Sequence, residues 1–140
     1  LLNVLKMLSL EKFKEKARLF AKTLKAGDII LLNGPMGAGK TTFVSALATH
    51  FNYEDVSSPS FALVNHYATA IPIIHMDLYR CKNENDIIML DLDHYFEKDD
   101  HIVIIEWAQK APWLEERSNY IITIDVTPKF KRKINIKQCS

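Results

Sequence analysis

The sequence predicts a three-layer α/β fold with a mixed β-sheet, and three observations carry that expectation. Residues 28–33 (DIILLN) are apolar on both faces, as a central strand of a parallel sheet must be. A glycine-rich turn follows and leads into a second helical stretch, which sets up a β-α-β order. A later buried-type run, His101 to Glu106 (HIVIIE), precedes two C-terminal strand-like segments that read as an antiparallel pair.

In chain order, the first element is a helix over Ser9 to Lys25. Leu10, Phe13, Ala17, Phe20 and Leu24 recur at steps of three and four and make one apolar stripe. Ser9 is placed to cap its start and Gly27 to end it. The second helix is expected over Gly39 to Phe51. Phe61 to Tyr67 and Ile71 to Leu78 read as two strands joined around Ala68–Ala70. Glu84 to Phe96 reads as helix, with Ile87, Ile88, Leu90 and Leu92 on the apolar side. Tyr120 to Val126 and Arg132 to Lys137 complete the set, turning around Thr127-Pro128.

The 140 residues leave room for one domain, expected to span 1–140 with 129–140 as edge strand and tail. Apolar residues make up 48% and charged residues 25%, which excludes general disorder. Eighteen basic side chains nearly cancel seventeen acidic ones, so bulk charge cannot drive polyanion binding. Cys81 and Cys139 share no short-range motif and read as free thiols of a reducing, cytoplasmic setting. No apolar run approaches the ~18 residues of a membrane span, and Leu1 to Leu10 is too short and poorly flanked for a secretory signal.

Gly34-Pro35-Met36-Gly37-Ala38-Gly39-Lys40-Thr41 matches G-x-x-x-x-G-K-[ST], the P-loop pattern, between a predicted strand and a predicted helix. The spacing has a chemical reason. The glycines let backbone N–H groups wrap a triphosphate, and the helix N-terminus turns its positive dipole end to the same anion. Lys40 is expected at the β- and γ-phosphates and the Thr41 hydroxyl in a magnesium shell.

Such a site also needs acids where neighbouring strands stop. Asp77 ends Ile73-Ile74-His75-Met76, and Glu106 ends His101 to Ile105. Both sit where an open α/β sheet carries its ligands. His75 reads as a core histidine or as support for a neighbouring site residue. The spacing of His50, His66, His75, His94 and His101 fits no zinc motif.

Four blocks then fall in order: Gly37-Ala38-Gly39-Lys40-Thr41-Thr42-Phe43, Ser58-Pro59-Ser60-Phe61 with Leu63-Val64, His75-Met76-Asp77-Leu78-Tyr79-Arg80, and Glu106-Trp107. From about Ser9 to Val126 the chain resembles TsaE (YjeE), the bacterial ATPase family of tRNA threonylcarbamoyladenosine synthesis. The resemblance implies a P-loop nucleoside-triphosphatase-like fold. It also implies ATP and Mg2+ as cofactors, and hydrolysis that is weak alone and stimulated in complex. Gly34, Met36, Gly37, Ala38, Gly39, Lys40, Thr41, Thr42 and Trp107 would then bind nucleotide. Thr41, Asp77 and Glu106 would serve the metal, and Lys40 and Glu106 catalysis. Ser58, Pro59, Ser60 and Phe61 would form a segment that responds to nucleotide state. The implied partners are TsaD and TsaB, with tRNA met indirectly or locally and no membrane. The chain departs from the family at Pro35-Met36, at Ser60, at Asp91 where glycine is common, and at Ala108-Gln109 after the tryptophan.

Charge is segregated: residues 1–25 carry a local +5, residues 84–100 a local −6, and five basic residues follow Val126. Solvated faces and a lysine-protected edge strand explain this by default. The sharper reading places Lys129, Lys131, Arg132 and Lys133 against an acidic partner or tRNA phosphate. Arg80, one of four arginines, reads as a brace for the Asp77 strand end, with contact to a partner as the alternative. Two other functions compete with the ATPase. A small phosphotransferase lacks the expected arginine-bearing lid insertion. A non-catalytic module gated by nucleotide would be separated by measuring phosphate release.

Overall fold

The computed structural model describes residues 9–59, 63–126 and 132–139. In chain order it contains α1 (Leu10–Ala21), β1 (Ile29–Asn33), α2 (Lys40–His50), β2 (Val64–Tyr67) and β3 (Ile73–Asp77). Then come α3 (Glu84–Ile88), α4 (Leu92–Phe96), β4 (Ile102–Glu106), 3-10 turns at Ala108–Lys110 and Pro112–Arg117, β5 (Tyr120–Val126) and β6 (Arg132–Gln138). The six strands lie in the order β2-β3-β4-β1-β5-β6. β3, β4, β1 and β5 run parallel, and the edge strands β2 and β6 pair antiparallel. The predicted mixed sheet and C-terminal pair are thus present; their turn at Thr127-Pro128 lies outside the described residues.

Strand periodicity divides the core into two layers. Ile30 and Leu32 of β1 and Ile102 and Ile104 of β4 pack with Phe13, Phe20, Phe43 and Leu47 of α1 and α2. Ile29, Leu31, Val103 and Ile105 pack on the other face with Ile87, Leu92 and Leu114. Apolar residues on both faces of β1 and β4 are therefore required by helices above and below the sheet.

Two expected helices are corrected. α1 stops at Ala21, about a turn before Lys25. The N–H groups of Lys22, Thr23 and Leu24 reach the carbonyls three residues back, which tightens the chain out of α geometry. The 84–96 stretch is two short helices, because Asp91 adopts φ 52, ψ 58 in the left-handed region and breaks the ladder. The position noted as a departure from a usual glycine is therefore one whose backbone favours glycine. The loop after Trp107 resolves into the two 3-10 turns.

Candidate functional site

The loop between β1 and α2 is shaped by close approach. A Cβ on Gly34 would stand 2.5 Å from the Ile124 carbonyl oxygen, so only glycine lets the loop leave β1 beside β5. Gly39 caps α2 at φ +101, and a Cβ there would meet Arg132 Nε at 2.7 Å. The α2 N-terminus then directs its unpaired N–H groups into the loop.

Lys40 is the first residue of α2 and only 6% exposed. Its Nζ donates to the carbonyls of Gly34 and Pro35 and lies 4.3 Å from the Trp107 ring centroid. Burial lowers its pKa, and the negative charges of Glu106 and Asp77 oppose that shift. An anion at the loop would find a desolvated cation already in place.

The acids arrive by strand register. Asp77 and Glu106 are partners across the parallel β3–β4 pair. Period two puts His75, Asp77, Ile104 and Glu106 on the sheet face that α2 covers. Asp77 Oδ1 accepts the Tyr79 N–H at 2.8 Å, which fixes the carboxylate at the strand end. Glu106 is 2% exposed and its Oε2 meets His75 Nε2 at 2.6 Å. Beyond it, Trp107 turns at φ 57. That turn lays its indole between Lys40 and the Tyr79 ring, 4.9 Å away.

Met36, Gly37, Lys40, Thr41, Ser58, Asp77, Tyr79, Glu106 and Trp107 line one cavity of about 110 Å³. The structure thus brings together Met36, Gly37, Lys40, Thr41, Asp77, Glu106 and Trp107 of the predicted residues, and Ser58 of the responsive segment. Thr42 lines a neighbouring groove with Thr41, Lys14, Arg18 and Ser45. Ala38 is buried in the core layer. Pro59 accepts the Leu63 N–H at 2.6 Å; Ser60 and Phe61 lie outside the described residues. The larger open groove, about 980 Å³, runs alongside from Tyr79 through Arg80 and Cys81 to Lys110. Hydroxyl and carboxylate oxygens from Thr41, Asp77 and Glu106 form a donor set of the kind that small hard cations take.

Three contributors escaped the sequence reading. Arg132, grouped there with a basic tail, donates from Nε to the Ala38 carbonyl at 3.3 Å. Its guanidinium lies 5.3 Å from the Phe13 ring centroid, so it braces the loop from β6. Lys129 and Lys131 lie outside the described residues. Lys110 Nζ donates to the carbonyls of Tyr79 and Cys81, holding the chain after Asp77. Tyr67 bonds His75. Lys110 and Arg132 join segments distant in sequence, and the Tyr67–His75 contact depends on the register of the β2–β3 hairpin, so no local pattern announces them.

A family model described as threonylcarbamoyl adenosine biosynthesis protein TsaE matches residues 7–134. The chain is 41% identical over 108 residues to the tRNA threonylcarbamoyladenosine biosynthesis protein TsaE of Nostoc sp., covering 74% of this chain and 65% of that protein's length. The protein of the same name from Aquifex aeolicus is 34% identical over 142 residues, covering 96% of this chain and 98% of that one. The crystal structure of Bacillus subtilis YdiB superposes with a TM-score of 0.73 at 30% identity, covering 95% of this chain and 82% of that one. With a family match over nearly the whole chain and a shared mixed-sheet fold, the protein belongs to the TsaE family of tRNA threonylcarbamoyladenosine biosynthesis proteins.

Proposed function

We propose that this chain is the ATP-binding and ATP-hydrolysing subunit of the machinery that modifies adenosine 37 of tRNA to threonylcarbamoyladenosine. In this reading it acts with TsaD and TsaB in the cytoplasm, as one magnesium-dependent P-loop domain. The observation that carries the reading is the convergence of Lys40, Thr41, Asp77, Glu106 and Trp107 on one cavity at the glycine loop. The loop amides and the α2 N-terminus bind the phosphates. Lys40, released from the Gly34 and Pro35 carbonyls, meets the β- and γ-oxygens. Thr41 and Asp77 would hold the metal. Magnesium, when bound, neutralises charge on the phosphate oxygens. Glu106 orients the attacking water in line with the γ-phosphate, and Trp107 covers the site from solvent.

Phosphate release and nucleotide affinity, measured with and without TsaD and TsaB, test this. Lys40→Ala is expected to lose nucleotide binding. Glu106→Ala is expected to keep binding within a few fold and to lose turnover by about 100-fold or more, the scale of a lost transition-state contact. Wild-type turnover by Glu106→Ala in the complex refutes the role of Glu106. Wild-type protein that binds ATP but releases no phosphate in any combination refutes the ATPase reading.

A further inference from the structure

Behind the cavity lies a buried chain of polar groups for which catalysis by the loop and the acids has no direct need. Glu106 Oε2 meets His75 Nε2 at 2.6 Å. His75 Nδ1 meets the Tyr67 hydroxyl at 2.9 Å. That hydroxyl lies 3.0 Å from the Ser57 carbonyl oxygen. His75 is 0% exposed and Tyr67 3%. Ser57 is held a second time, because Asn65 Nδ2 donates to the same carbonyl at 3.1 Å. The next residue, Ser58, lines the cavity.

The available protons allow two arrangements of the chain. A tyrosine hydroxyl has one proton and also accepts. Burial pushes the Tyr67 pKa up, so the proton is retained. It goes either to Ser57, with His75 Nδ1–H donating to the tyrosine oxygen, or to His75 Nδ1. With Tyr67 donating to Nδ1, a neutral ring donates from Nε2–H to the Glu106 carboxylate; with Tyr67 donating to Ser57, the link to Glu106 requires one further proton, on Nε2 or on the carboxyl. Packing fixes the rings. Tyr67 stacks on Tyr53 at 4.7 Å between centroids and lies 5.8 Å from the His75 ring. A water-orienting carboxylate works only if its own rotamer is held, and hydrogen bonds to a supporting imidazole are one way of holding it.

We propose that His75 and Tyr67 are positioning residues for Glu106, forming a relay that ties its carboxylate to the chain at Ser57, directly before the predicted nucleotide-responsive segment. The relay sets Glu106 in its water-orienting rotamer according to where Ser57 sits. It rests on the ATPase reading for its consequence, and on the buried hydrogen bonds for its existence.

Tyr67→Phe removes only the hydroxyl and keeps the ring in its packing. In the complex with TsaD and TsaB it is expected to lower kcat about ten-fold, while KM and the equilibrium Kd for Mg-ATP stay within two-fold. His75→Gln, which keeps a donor amide but cannot reach both partners, is expected to lose kcat in the same way and serves if Tyr67→Phe does not fold. Imidazole 1H–15N spectra of the free chain provide a readout independent of turnover. The wild type is expected to show a slowly exchanging His75 Nε2–H resonance that shifts in Tyr67→Phe and is lost or displaced in Glu106→Ala. Wild-type kcat in Tyr67→Phe, or a Kd that weakens in step with kcat, overturns the relay. So does an Nε2–H signal indifferent to Glu106. A wild-type complex that hydrolyses no ATP defeats the functional reading instead, and the spectra then decide the relay alone.

Discussion

Cys81 and Cys139 differ in ways that chemistry can read. Cys81 is buried between β3 and α3. Burial first, then the nearby charge of Asp86, raises its thiol pKa, and Lys110 opposes the shift. The thiolate is the reactive form, so a raised pKa and poor access both suppress it. Iodoacetamide at neutral pH is expected to modify Cys139 at least ten-fold faster than Cys81, followed by peptide mass mapping. The Cys81 rate should climb only above the usual thiol range, as the pH approaches its raised pKa. Gly39 makes a second residue-scale case. At φ +101 a side chain is strained whatever the space around it. Gly39→Ala should therefore lose about 1–2 kcal/mol of stability in urea unfolding, and it pushes Arg132 from the Ala38 carbonyl.

At the scale of elements, the boundary between α3 and α4 turns on Asp91. Its side chain caps nothing and its backbone is left-handed. Asp91→Gly should therefore change stability by less than about 0.5 kcal/mol, because relief of strain is offset by the entropy of a freer unfolded chain. Asp91→Val should cost about 1–2 kcal/mol, since a β-branched residue tolerates that region worst. Thermal and urea midpoints check both. Asp91 also shows where the sequence was legible and where it was not. β1, β4 and β5 could be read because apolar runs on both faces, or alternation, have a direct structural cause. α1 could be placed by its stripe and by Ser9, whose Oγ accepts the Lys12 N–H at 3.3 Å. The break at Asp91 was hidden because the apolar residues continue across it; only the backbone angle separates the two helices. The same division holds at the site. Lys40, Thr41, Asp77 and Glu106 were legible because loop motif and strand ends are local signals. Lys110 and Arg132 were not, because their partners lie 31 and 94 residues away, and Tyr67 was not, because its contact with His75 is set by the β2–β3 register.

For the whole molecule, the important fact is that one aromatic cluster supports both the core and the loop. Phe13 of α1 meets Phe43 of α2 edge-on at 6.0 Å. Phe43 also meets Phe20, whose ring packs on Tyr120 of β5 at 4.9 Å. On its other side Phe13 carries the Arg132 guanidinium that bonds Ala38. A fully buried phenylalanine truncated to alanine costs about 3–5 kcal/mol, part transfer and part cavity. Phe13→Ala should pay that and also loosen Arg132, so its effect reaches the loop, whereas Phe20→Ala removes similar apolar volume without touching Arg132. The two variants are therefore expected to lose comparable stability in urea unfolding. Only Phe13→Ala should also weaken Mg-ATP affinity, by about three- to ten-fold, when titrated below its unfolding transition. Arg132→Met, which keeps the aliphatic stem over the ring, should reproduce the affinity loss with little of the stability loss. Equal affinities in all three variants would place the support of the loop in the glycines alone and separate it from the helical layer.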